Sequence, residues 1–203
     1  MWPYSYDSCD VGTFPNQTNK QGEPNAAQTG NNGGPISFMP GQRASACTCP
    51  GSDHPGPNVN VGRGAPEIDV YEAQVSNMVG EVSQSQQVAP FNAEYQYNNE
   101  PPATTLYNPN ITRHNSYLGG PYQQAISSVT KISNSDYERS GGEFAVFGVE
   151  YWSDPNNRND GFITWMSQGE PSWQITSASI GPDPVTEVGQ RLISEEPMVK
   201  YIH

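Results

Sequence analysis

Basic residues are scarce in this chain: nine Lys and Arg stand against 21 Asp and Glu over 203 residues, a formal charge of −12. A field of that sign repels phosphate backbones and anionic headgroups, so nucleic acid is not an expected partner. Long hydrophobic runs are missing too. With no stretch of about twenty apolar residues, no segment of the sequence is a candidate membrane-spanning helix, and Met1-Trp-Pro-Tyr-Ser-Tyr-Asp7 lacks the basic and then apolar regions of a signal peptide. Cysteine is limited to Cys9, Cys47 and Cys49. A zinc site needs four ligands; Cys47-Thr-Cys49 is one residue short of the usual spacing and His54 would be a poor fourth, so no metal is expected. The three cysteines are disulfide candidates instead, with Cys9 bonded to Cys47 or to Cys49 and one thiol left over.

Also lacking are internal repeats and any long amphipathic helix, and only 33% of the chain is hydrophobic, with 20 Gly and 19 Pro. That composition argues against a helical bundle. Four Trp and eleven Tyr are more than a disordered chain usually carries, which leaves a β-rich protein with long loops. Neutral sugars fit such a chain, because aromatic faces and Asn and Gln side chains supply what binds them. Residues 8 to 66 read as loop, with "NKQGEPNAAQTGNNGGP" showing no hydrophobic period. We therefore divide the chain into a loop-rich insertion over 1–66 and strands of the same domain over 67–203. In the second part "EIDVYEAQV", "GEVSQSQQVAPF", "QQAISSVTKI", "EFAVFGVEYW", "GFITWMSQG" and "SWQITSAS" each read as a strand bounded by turn residues. Short strands at this spacing predict an all-β sandwich or barrel. "EFAVFGVEYW" is apolar on both faces, which predicts an interior strand.

The first of these strands packs Glu67, Asp69 and Glu72 into six residues. Side chains alternate along a strand, so Glu67 and Asp69 share a face while Glu72 points away, unless one β-bulge among Val70, Tyr71 and Glu72 restores it. With the bulge, all three line one face and the two Glu backbones lie roughly 13 Å apart. A concave sheet would bring the carboxyl groups toward the ~5 Å separation that a retaining glycosidase needs. One Glu would then be the nucleophile and the other acid then base, with Asp69 between them keeping their pKa values apart. The competing reading is an edge strand that turns its acids to water.

Other candidates are weaker. Trp152, Trp165 and Trp173 are sugar-stacking platforms or core residues, and apolar neighbours favour the core; Tyr95 and Tyr97, in polar sequence rich in Asn, are the stronger subsite candidates. With Trp152 and Trp165 they make up the substrate-binding set. Gly62-Arg63-Gly64 reads as a turn, not a phosphate loop, and no cofactor is expected. His54 and His114 lie in loop sequence with no Ser or Cys partner, which argues against a hydrolytic triad, and Glu150 reads as a sheet residue. Asn16-Gln-Thr and Asn110-Ile-Thr are glycosylation sequons of the kind a secretory-pathway protein carries.

Glu67-Ile-Asp69-Val-Tyr-Glu72 resembles the bulged E-x-D-x-x-E signature of glycoside hydrolase family 16. "MWPYSYDSCDVGTFPNQT", "GQRASACTCPGSDHPGP", "GRGAPEIDVYEAQV", "GEVSQSQQVAPFN", "GGPYQQAISSVT", "GGEFAVFGVEYW" and "ASIGPDPVTEVGQRLISEEPM" resemble, in order, segments of its fungal β-glucan synthesis-associated branch. The resemblance implies a jelly-roll sandwich with an acidic cleft on its concave face, acting on β-glucan in β-1,6-glucan assembly at the lumenal or extracellular side of a secretory-pathway membrane. It implies Glu67 as nucleophile, Asp69 as assisting acid and Glu72 as general acid/base. It further implies that Met1 is an internal methionine, that a membrane anchor and the first strands precede Trp2, and that closing strands follow Met198.

Overall fold

Alternation and turn chemistry build the molecule. The computed structural model describes residues 66–88, 94–120, 123–154, 156–157, 159–186, 188–194 and 198, together with Thr29 and Gly33. Cys9, Cys47, Cys49, Asn16, His54 and, Thr29 and Gly33 apart, the rest of residues 1–65 lie outside the described residues.

The described strands are β1 (Glu67–Ser76), β2 (Val79–Val88), β3 (Thr104–Leu106), β4 (Thr112–His114), β5 (Gly119–Gly120), β6 (Gln123–Lys131), β7 (Gly148–Trp152), β8 (Phe162–Ser167) and β9 (Glu170–Thr176). They form two antiparallel sheets. One runs β1-β2-β6-β4 with β5 also on β6, and the other runs β3-β9-β8-β7. Between them pack Val88 and Ile126 of the first sheet, Ile163, Trp165, Trp173 and Ile175 of the second, and Ile180 and Ile193 from beyond it. The protein is an all-β sandwich, as the strand spacing predicts.

Two-residue turns set the register at both long hairpins. Asn77 and Met78, at φ 50° and 65°, join β1 to β2, and Gln168 and Gly169, at φ 54° and 84°, join β8 to β9. Positive φ at both central positions matches the right-handed twist of the flanking strands. Gly119 is required for a steric reason: at φ +106° its Cβ would sit 2.3 Å from the Gln123 carbonyl oxygen. β5 can therefore lie flat against the start of β6.

The far end is closed by residues 94–98, 181–186 and 188–191. Tyr95 is fully buried, its hydroxyl donates to the Gly181 carbonyl at 3.0 Å, and the Arg191 guanidinium lies 4.3 Å from its ring centre. Asp183 accepts from the Gln96 and Val185 amides at 3.0 and 2.9 Å. Burial pushes the Asp183 carboxyl up, but these amides and Thr186 outweigh it and hold it below the usual carboxylate range.

Three sequence expectations are corrected here. "EFAVFGVEYW" is not an interior strand: it becomes regular only at Gly148, and β7 pairs with β8 alone among the described strands. Its inward Val149 and Tyr151 pack on the core, whereas Phe144 and Val146 are exposed and Phe147 stacks on Tyr71 of β1, ring centres 4.4 Å apart. The outward Gly148 lies so close to Met166 that a Cβ would meet its methyl at 2.6 Å. His114, expected in a loop, ends β4 opposite Ser128. "SWQITSAS" is strand only to Thr176, after which Ser177–Ile180 form a 3-10 turn.

Candidate functional site

β1 carries the bulge. Asp69 pairs with Ser85 and Glu72 with Ser83, so three steps on β1 match two on β2. Glu67, opposite Gln87, thus joins Asp69 and Glu72 on the face that also presents Ser83, Ser85 and Gln87. The inner face of β2 holds the bulge in place. Gln84 sends its side-chain amide to the Val70 carbonyl and to the Met166 carbonyl of β8, both at 3.0 Å, while its own oxygen lies 2.6 Å from the Ser172 hydroxyl. Trp165, also on β8, donates its indole N–H to the Asp69 carbonyl at 2.9 Å. Backbone carbonyls at the bulge are therefore satisfied by side chains, Val70 from Gln84 of the same sheet and Asp69 from Trp165 of the opposite one.

On the acid face a second network fixes the carboxyl groups. Asp69 Oδ2 accepts from the Ser85 hydroxyl at 2.5 Å and from Gln87 Nε2 at 2.6 Å. Gln123, at the start of β6, donates through Nε2 to Glu67 Oε2 at 3.1 Å and to the side-chain oxygen of Gln87. Glu67 is an exposed residue, but partial desolvation of its carboxyl, then the charge of Asp69, raises its pKa above the usual range; the Gln123 bond opposes this, and hydrogen bonding with Asp69 and the charge of Glu72 add to it. A fourth carboxylate on this face, Glu81, is neutralised. Arg113 of β4 grips it with two bonds of 2.8 and 3.0 Å, and those bonds hold its pKa down against burial. The other carboxylates of this face are Glu67, Asp69 and Glu72.

The predicted aromatic platforms are elsewhere. Trp165 is fully buried and stacked on Trp173, ring centres 4.4 Å apart, so it supports the acid strand from behind. Tyr95 lies at the far end of the core. Tyr97 packs against the core between the sheets, edge-on to His114, and burial pushes its phenol up to about 12. Trp152 pairs with Phe162 on the outer face of the second sheet, remote from the acids. Large aromatics in a chain with few aliphatic residues are needed to fill the core, and that need places three of the four. Glu150, paired with Thr164, points outward on the same sheet.

Gln84, Ser85, Gln87, Gln123 and Ser172 do not stand out in the sequence. The available signal was the polar run Ser83-Gln-Ser-Gln-Gln87 inside a strand that is buried along most of its length. A polar centre in an interior strand demands partners, and here they are the bulge on one face and the acids on the other.

The family model described as Beta-glucan synthesis-associated protein SKN1/KRE6/Sbg1 matches residues 1–202. The chain is 41% identical over 202 residues to Beta-glucan synthesis-associated protein KRE6 of Saccharomyces cerevisiae, which covers 98% of this chain and 25% of that protein. It is 40% identical over 200 residues to Beta-glucan synthesis-associated protein SKN1 of Candida albicans, covering 98% and 24%. The chain thus spans about a quarter of the length of these relatives. No solved structure matches it. With nearly every residue inside the match, the chain belongs to the SKN1/KRE6/Sbg1 family of beta-glucan synthesis-associated proteins.

Proposed function

We propose that this chain carries the reactive face of a retaining β-glucan hydrolase or transglycosylase of family 16 type that works in fungal cell-wall assembly. The supporting observation is the bulge, which puts Glu67, Asp69 and Glu72 on one face of one sheet. In the proposed reaction the Glu67 carboxylate attacks the anomeric carbon while Glu72 gives a proton to the departing glycosidic oxygen. The product is a glycosyl ester on Glu67. Glu72, now a carboxylate, takes a proton from water or from a sugar hydroxyl, whose oxygen attacks the same carbon and frees Glu67. The charge of Asp69 favours the protonated form of the resting Glu67, which gives that proton up to solvent before it attacks.

The longer protein holds this face on the lumenal or extracellular side of a secretory-pathway membrane, through an anchor outside this sequence. Asn110 suits that location: it is exposed in the turn before β4, where a glycan can be attached.

The direct test is β-glucan turnover by the protein and by Glu67→Gln; binding that survives with no turnover in either would leave only a glucan-holding factor. Asp69→Asn supplies a further prediction. Removing the Asp69 charge lowers the pKa of Glu67, so the acid limb of the pH–rate profile moves to lower pH while the maximal rate falls about tenfold to a hundredfold. An acid limb that stays in place would separate Asp69 from the ionisation of Glu67.

A further inference from the structure

On the acid face two polar atoms are closed off from solvent with no hydrogen-bond partner among the described residues, Gln123 Oε1 and Ser127 Oγ. Ser127 is 2% exposed and stands opposite Ser85, in the row of Asp69. Gln123 lies on the same face two residues beyond Ala125, which pairs with Gln87 in the row of Glu67. Both N–H bonds of the Gln123 carboxamide are committed, one to Glu67 and one to Gln87. Turning the amide over would set its oxygen against the Glu67 carboxylate.

From this geometry we infer that Gln123 and Ser127 form a hydroxyl-recognition shelf beside the carboxyl groups, taking a neutral sugar, and that Gln123 also positions Glu67. The inference rests on the proposed glucan reading and names the side chains that hold the sugar. The donor count selects the ligand class. Gln123 has only an acceptor to offer, so its ligand must bring an O–H, and an anion would meet that oxygen and three carboxyl groups together. Ser127 can accept from or donate to a sugar hydroxyl. Gln123 is only partly buried, and Gln87 and Ser85 keep Asp69 in place beside it.

The experiment measures binding of a β-linked glucose tetrasaccharide to the full chain by calorimetry, alongside the thermal midpoint and the 13C titration of the Glu67 carboxyl. Ser127→Ala weakens binding about fivefold yet leaves the midpoint unchanged or higher, because it deletes a buried hydroxyl that has no partner. Gln123→Leu weakens binding about tenfold and moves the Glu67 titration to higher pH. Unchanged affinity in both variants, whatever the midpoints do, would overturn the shelf, as would a Glu67 titration that ignores Gln123→Leu for the positioning role. Tetrasaccharide bound through these residues but never cleaved would sink the hydrolase reading alone. Cleavage with variant affinities equal to the wild type would sink this inference alone.

Discussion

Glu67→Gln lowers β-glucan turnover at least about a thousandfold and at the same time raises the thermal midpoint at neutral pH. The first effect follows from the role proposed for Glu67 as nucleophile: an amide cannot form the glycosyl ester, and three decades correspond to about 4 kcal/mol of lost transition-state stabilisation. The second follows from the direction of the Glu67 shift. Its folded pKa lies above the unfolded value, so the folded state binds more protons across the interval between the two, and wild-type stability falls as pH rises through it. Below the ordinary Glu range both states are protonated and the variant gains nothing from this source. Above the folded value the gain is complete. Melting curves over pH 3 to 8 read this directly, and a midpoint that drops equally at every pH would mean that Glu67 serves the fold and not a reaction. Stability given up at a reactive carboxyl is the familiar cost of placing like charges together.

Trp165→Ala is the largest expected loss of stability. The indole is fully buried, stacks on Trp173, and bonds the Asp69 carbonyl across the sandwich. Removing it takes away a large apolar surface and leaves both a cavity and an orphaned carbonyl at the bulge, for a loss of about 3–5 kcal/mol. Trp165→Phe separates the two roles. Most of the packing remains but the N–H is gone, so stability falls by about 1 kcal/mol. The bulge then rests on Gln84 alone, and turnover falls further than the stability loss would account for. Denaturant unfolding of both variants, with turnover measured where each is fully folded, tests the pair. Equal stability and turnover in Trp165→Phe and wild type would show that the indole bond does not hold the acid strand.

How much of this was legible in the sequence depends on the range of the interaction. The β1 bulge could be read because strand alternation is local and only one inserted residue brings Glu72 into line with Glu67 and Asp69. Strand positions followed from turn residues at Asn77 and Gly169. Failures came where a side chain's role is set by the second sheet. Tyr95 and Tyr97 look like sugar platforms until the core is seen to need them, and the apolar run from Phe144 to Trp152 looks interior until Phe147 is found serving β1. Gln84 was invisible for the same reason. Its three partners, Val70, Ser172 and Met166, are 14 to 88 residues away in sequence, and no periodicity reports them.

The measurement that tests the central claim most directly is covalent trapping. The protein is incubated with an activated 2-deoxy-2-fluoro β-glucosyl or β-gluco-oligosaccharyl donor, digested, and analysed by tandem mass spectrometry across residues 64–76. The account predicts one glycosyl ester, on Glu67, formed by the wild type and absent from Glu67→Gln. An ester on Glu72, or turnover of β-glucan with inverted product and no ester at all, would contradict it.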